Sequence, residues 1–319
     1  MKSLTNPLHP YINFIIPAVA LSTLCTGPFR GGIMRAHIAG ADVISVAKAG
    51  VDTSTQRPRV TPFVGDFESG DLSAWSHREA ARPDSIQVVT DLVRRGRYAA
   101  KFTVRPGERV SNGNRAELTW DNHEPPGSQS WYAWSFLIPP EYSDREWKPG
   151  SWQCMGQWHD QPNRERGETW DNFPGHSPPI AIYYTLRKNV PTIELWYGAS
   201  KEQKIISTLP IQKGRWNDLV FHIGWSPGED GFIEAWLNGK PFTPLTGNHH
   251  KVSGANMWNA YPHYLKIGLY RNSEIGTTDS VYFDEVRIGN SYAEVALPTR
   301  AALKPMEVEE APTARRRRP

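Results

Sequence analysis

YLKIGLYRN, residues 264–272, decides how the chain folds. Read with a period of two, it separates into two faces. Leu265, Ile267 and Leu269 fall on one, and Tyr264, Lys266, Gly268, Tyr270 and Asn272 fall on the other. That alternation marks a β-strand with one face laid on a core. An ordinary solvated face is rich in Lys, Glu, Thr and Ser. A lysine among two tyrosines and an asparagine is the mixture of a polar cleft.

Two further stretches repeat the design. In NRAELTW (114–120), Arg115, Glu117 and Thr119 share a face, opposite Ala116, Leu118 and Trp120. In WQCMGQWH (152–159), the same period puts Gln153, Met155, Gln157 and His159 on one face, and Trp152, Cys154, Gly156 and Trp158 on the other. Three strands thus offer an apolar face to a facing sheet and a polar face to a ligand.

Outward from these, short alternating runs fill residues 60–297: SIQVVT, YAAKFTV, WYAWSFLI, IAIYYTLR, TIELWYG, DLVFHIGW, FIEAWLNG and VYFDEVRIG. NGN, PPG, SPGEDG and the hairpin-type NG at 238–239 separate them. No long segment has a helical period, and no repeat recurs at fixed spacing. The expected fold is all-β, a jelly roll or concanavalin A-like sandwich of two antiparallel sheets in one domain. A longer irregular stretch, DQPNRERGETWDNFPGHSPP (160–179), follows QWH directly. It reads either as a groove wall or as a surface insertion.

The 319 residues carry a formal net charge of +3, which gives no case for nucleic-acid binding. A monomer with no stable membrane partner is expected. Of the 13 tryptophans and 12 tyrosines, most are expected in the core, with several lining a groove where sugar C–H faces stack. The two cysteines, Cys25 and Cys154, make no disulfide framework, and Cys154 reads as a small buried hydrophobe. Residues 1–50 read as a signal or leader segment: an early lysine precedes an apolar run too short for a membrane span. A secreted or periplasmic protein is therefore expected. Residues 298–319, which end in RRRRP, read as a disordered basic tail.

RAEL, QWH and YLKIGLYRN together resemble the three signature strands of jelly-roll alginate lyases, which read R-(S/T/N)-E-L, Q-(I/V)-H and Y-F-K-A-G-x-Y-N-Q. Ala116, Trp158 and the pair Arg271-Asn272 depart from that pattern. With GDFESGDLSAW (65–75) and VYFDEVRIG (281–289), the chain is more similar to the related glucuronan lyase and heparin lyase I-like group. The resemblance spans roughly residues 60–295.

It implies cleavage of an acidic polysaccharide by β-elimination. A base takes the C5 proton, the bond from C4 to the glycosidic oxygen breaks, and an acid protonates the leaving oxygen. Charge builds on the adjacent carboxylate, so that group must be neutralised. By resemblance, Arg115 and Gln157 do this, Tyr270 is the acid, and His159 is the base or its partner. Lys266, Glu117, Asn272, Arg271 and Tyr264 are expected around the substrate, with Glu117 orienting Arg115. In glucuronate and mannuronate the C5 proton and C4 oxygen lie on one side of the ring, so one tyrosine could be base and acid in turn. In guluronate or iduronate they lie on opposite sides, and His159 would face Tyr270. Both routes stay open on sequence. No cofactor is required for the chemistry. A structural calcium is implied near GDFE and FDEVRIG, with Asp284 as ligand.

Two other functions share this fold. A glycoside hydrolase needs two carboxylates flanking the bond, and the E-x-D-x-x-E strand motif of the laminarinase type is absent. A lectin-like module would keep the aromatic groove without catalysis.

Overall fold

The structure is a computed structural model. It describes residues 57–297 apart from 112, 122–123, 149, 200–202 and 247–249. The leader and basic tail expected from sequence lie outside the described residues. Among the described residues the strands run in chain order as β1 (Phe63–Gly65), β2 (His77–Ala80), β3 (Ile86–Val89), β4 (Ala99–Val104), β5 (Asn114–Asp121) and β6 (Gln129–Leu137). They continue as β7 (Gln153–His159), β8 (Ile180–Arg187), β9 (Val190–Tyr197), β10 (Lys204–Pro210) and β11 (Trp216–Gly224). The last are β12 (Phe232–Leu237), β13 (Lys240–Pro241), β14 (Lys251–Ser253), β15 (Tyr264–Arg271) and β16 (Asp279–Gly289). A single helical turn, α1 (Tyr292–Val295), follows.

These strands form two antiparallel sheets, as the alternation predicts. One has the order β13-β12-β11-β6-β16-β4-β3, with β1 on β16 and β14 on β12. The other has the order β10-β9-β8-β7-β15-β5-β2. All three signature strands are adjacent in the second sheet, with β15 between β7 and β5. The core lies between the sheets. Leu265, Ile267 and Leu269 enter it from β15, and Ala116 and Leu118 from β5. Trp158 crosses from β7 to meet Tyr132, Trp134 and Phe221 of the facing sheet, at ring centroid distances of 5.0, 5.6 and 5.2 Å. Burying so much aromatic surface locks the two layers together. The NG hairpin forms as expected: Asn238 and Gly239 both have positive φ, at 52° and 74°, and join β12 to β13.

One expectation is corrected. The pairing of β7 with β8 shifts register between Cys154 and Gly156, so β7 carries a bulge. The extra residue turns Met155 into the core beside Trp158. Gln153 is buried and accepts a hydrogen bond from the core tyrosine Tyr142. Only Gln157 and His159 keep the face that strict alternation assigned to all four. Cys154 is buried, as expected, but outside the apolar core clusters, in register with Tyr270 and Tyr183. Burial, then the nearby Glu117, push its thiol up, so it stays protonated.

Gly268 allows β15 to pass under the site. Its φ is +134°, and a Cβ there would lie 2.3 Å from the Ala116 carbonyl oxygen. No flexible side chain can yield to that contact. Gly268→Ala is expected to cost about 2–4 kcal/mol of stability, seen as a drop in thermal midpoint of roughly 5–15 °C. A midpoint within a degree of the parent would show that β15 tolerates the change.

Candidate active site

The site lies on the face of the seven-stranded sheet turned away from the core. Strand register sets its layout. Tyr264 lies opposite His159, and Lys266 opposite both Gln157 and Thr119. Tyr270 lies opposite Arg115, and Glu79 of β2 lies opposite Glu117. Four neighbouring strands thus each place polar side chains on one surface.

At the centre is a network of charges. Gln157 Nε2 donates to Glu117 Oε1 at 2.6 Å, and Arg115 Nη1 donates to Glu117 Oε2 at 3.2 Å. Lys266 Nζ sits 3.9 Å from the same carboxylate. Glu79 closes the network: one oxygen accepts from Lys266, and the other from Arg115 at 3.3 Å. Burial pushes the Glu117 carboxyl up, against the pull of Lys266 and Arg115. Burial likewise opposes the Arg115 charge, but Glu117 and Glu79 outweigh it and raise that group. Glu117 thus bonds Arg115, the residue the sequence led us to expect it to orient, and also Gln157, which the sequence did not link to it. Glu79 was missed, because HREA (77–80) lacks any apolar alternation.

Tyr270 and His159 occupy opposite ends of this network. The Arg115 guanidinium lies 4.0 Å from the Tyr270 ring centroid, a cation–π contact. Gly113 leaves room for that ring, since a Cβ there would fall 2.2 Å from it. His159 stacks instead on Tyr264, with centroids 5.3 Å apart and planes within 12°. His159 Nδ1 lies 2.6 Å from the Asp160 carbonyl oxygen. That contact assigns the proton to Nδ1 and leaves the Nε2 lone pair free. Burial lowers the His159 pKa, only partly opposed by Asp160, so the ring is neutral near pH 7. Burial, then Glu79 and Glu117, push the Tyr264 phenol up. Since His159 pairs with Tyr264 and Tyr270 with Cys154, their backbone positions are about 15–20 Å apart along the strands.

Two aromatic tracts extend from these ends. Trp152 stands edge-on to Tyr270 at 5.2 Å, Tyr183 to Trp152 at 5.7 Å, and Trp196 to Tyr183 at 5.6 Å. They lie on or beside β15, β7, β8 and β9, in that order across the sheet. At the other end, the 160–179 segment places Trp170, 56% exposed, 6.2 Å from His159. Asp160 anchors the segment through His176 Nε2 at 2.8 Å, and Glu168 through Asn259 at 2.9 Å. The segment is therefore a wall beside the site. None of these aromatics was singled out from sequence, because strand adjacency is needed to see them as a row.

Three expected residues are placed elsewhere. Arg271 is buried at 1% exposure on the core side of β15, bonded to Asp279 Oδ2 at 2.8 Å and to the Val104 carbonyl at 2.9 Å. It braces the sandwich and cannot touch a substrate, as strict alternation along β15 requires. Asn272 lies past the end of β15, and its side-chain oxygen accepts from Glu274 N at 2.9 Å, closing a turn. Asp284 accepts backbone N–H bonds on both oxygens, from Arg94 and Arg95 on one and from Glu285 on the other. Burial raises its pKa to about 7. Glu68 likewise accepts from the backbone of Arg97 and Tyr98. Among the described residues, no group of three or more His, Cys, Asp or Glu side chains is gathered to hold a metal.

The comparisons with known proteins agree with this fold. The structure is similar to an endo-β-1,4-glucuronan lyase from the fungus Trichoderma reesei, with 19% identity, a TM-score of 0.54, and coverage of 75% of this chain and 98% of that one. Alginate lyase Aly36B is similar at 9% identity and a TM-score of 0.49, over 73% of this chain and 97% of that one. Alginate lyase PA1167 from Pseudomonas aeruginosa is similar at 17% identity and a TM-score of 0.44, over 66% and 87%. At 19% identity the likeness to the glucuronan lyase speaks for the fold alone. No curated protein matches the chain in sequence. Residues 67–287 match the sequence model of the family described as Polysaccharide lyase. That span takes in all three signature strands and the charged network they build, and the chain belongs to the polysaccharide lyase family.

Proposed function

We propose that this lyase cleaves a polyuronate of the glucuronate or mannuronate type by syn β-elimination, with Tyr270 as base and acid in turn. The observation that carries the reading is the Arg115 guanidinium 4.0 Å from the Tyr270 ring. The contact sets a cation able to take the substrate carboxylate beside the hydroxyl that exchanges the proton. The tyrosinate takes the C5 proton. The C–H electrons form the C4–C5 double bond, and the bond from C4 to the glycosidic oxygen breaks. The leaving oxygen then takes the same proton back from Tyr270. Arg115, Gln157 and Lys266 hold the substrate carboxylate, where charge builds in the transition state.

The backbone spacing of His159 and Tyr270, set by their register along β15, supports the single-tyrosine route. A base and an acid acting from opposite sides must both come within hydrogen-bond reach of neighbouring carbons. Tyr264 is the poorer base, since burial disfavours its anion. His159, Tyr264 and Trp170 then form a sugar-binding end, and Trp152, Tyr183 and Trp196 the other. A hydrolase would need two accessible carboxylates. Glu79 and Glu117 face each other, but the Glu117 side chain is 2% exposed and both its oxygens are engaged.

Glucuronan, polymannuronate, polyguluronate and pectate, assayed by the ultraviolet absorbance of an unsaturated uronate, test the reading. Turnover of glucuronan or polymannuronate is expected, with polyguluronate resistant. Sugar release without absorbance, or a preference for polyguluronate, refutes it. Trp170→Ala is expected to raise KM about 2–10-fold and leave kcat within about twofold, the loss of one stacking surface. Unchanged KM would take Trp170 out of the binding path. The proposal places the enzyme outside the cytoplasm, supported by the apolar run within residues 11–25. Among the described residues no helix is long and apolar enough to cross a membrane.

A further inference from the structure

Glu79 has no part in the chemistry above, yet it touches both cations of the site. Its two oxygens divide between them: Oε1 on the Lys266 ammonium, and Oε2 on Arg115 Nη1 at 3.3 Å. A uronate carboxylate held by the same pair would bridge them in the same way. The network also carries no surplus charge, since two carboxylates face two cations. An incoming carboxylate therefore meets cations that are already neutralised.

The two glutamates differ in how firmly they are held. The Glu117 side chain is 2% exposed and is fixed by Gln157 at 2.6 Å as well as by Arg115. The Glu79 side chain is 26% exposed, against 10% for Arg115 and 5% for Lys266, so it is the member of the network nearest solvent. It sits on β2, a four-residue strand that, among the described residues, ends the sheet and pairs there with β5 alone. Burial would raise its pKa, but Lys266 and then Arg115 outweigh that effect and hold it below the ordinary glutamate range. Glu79 is charged at neutral pH.

We propose that Glu79 occupies the carboxylate-binding position of the cleft as an internal stand-in, and that the substrate's own carboxylate displaces it. Glu79 is then an internal competitor of the substrate carboxylate. An acidic sugar can replace the two ion pairs it breaks, and a neutral sugar cannot. A neutral ligand leaves Glu79 in place, so only an acidic one carries the cost of displacement. The proposal rests on the polyuronate reading above.

The test is binding of β-1,4-linked tetraglucuronate and tetramannuronate by calorimetry, with their carboxyl-reduced tetramers as neutral controls. Wild type, Glu79→Gln and Glu79→Ala are compared, together with KM on the acidic polymer the wild type turns over. Both variants are expected to bind the acidic tetramer about 3–10-fold more tightly and to lower KM by a similar factor, the range of a partly exposed ion pair. Affinity for the reduced tetramers stays unchanged, a contrast that a merely structural role would not produce. Glutamine keeps the shape of the side chain, so it reports even if the alanine variant folds poorly. If the wild type forms unsaturated product but neither variant binds the acidic tetramers more tightly, the displacement is wrong and the polyuronate reading stands. If the wild type binds no acidic tetramer and forms no unsaturated product from any acidic polymer, both fall.

Discussion

Tyr270→Phe is expected to lower kcat by at least about 10³-fold, because in the proposed mechanism one hydroxyl serves as both base and acid and each role is typically worth about 10²–10⁴. The fold should survive. The ring sits against Arg115 at 4.0 Å and Trp152 at 5.2 Å, contacts that phenylalanine keeps. Substrate affinity should therefore change little, and binding of an acidic tetramer measured by calorimetry checks this. His159→Ala provides the contrast. If His159 only lines a sugar subsite beside Tyr264, its loss should raise KM and lower kcat by less than about tenfold. Near-normal turnover in the Tyr270 variant would remove it from the chemistry. Equal, large losses in both variants would restore a two-residue mechanism in which strand curvature brings the ends together.

Arg115→Ala is expected to lower kcat/KM by about 10²–10³-fold, the usual loss of one donor aimed at developing charge. A polymer with its uronates methyl-esterified should lose far less, since its ester needs no neutralisation. The ratio of the two losses is the readout, and equal losses would count against a carboxylate-binding role. The variant also removes a partner from Glu117 and Glu79, so its thermal midpoint should fall. Glu117 keeps Gln157 at 2.6 Å and Lys266 at 3.9 Å, which leaves its buried charge compensated. Arg115→Lys keeps the charge without the planar fork and should fall between wild type and alanine.

The sequence was legible where alternation was strong. Each of the eleven runs read as strands contains one in the structure, and β15, β5 and the second half of β7 show the faces that a period of two assigns. Legibility failed where the signal was not periodic. His77–Ala80 has no branched or aromatic residue, and it pairs only because β5 offers an open edge. Glu79 was lost with it. The tracts through Trp152, Tyr183 and Trp196 depend on which strands are neighbours, information that no single stretch contains. Arg271 teaches the opposite lesson. Alternation along β15 puts it on the core side, whereas likeness to a family motif drew it into the site. The physical period was the better guide there.

The bulge in β7 means that this strand is written in two frames. Ahead of it, Gln153 serves the interior; behind it, Gln157 and His159 face the cleft, with Trp158 between them driven inward. Deleting one residue at 154–156 would bring the halves into phase. Trp158 would stay inward and the amide and imidazole outward, whereas adding one residue behind the bulge would swing Trp158 out to solvent and press the amide and imidazole among the aromatic rings. Letters in this segment can drift, but it has no room for another residue.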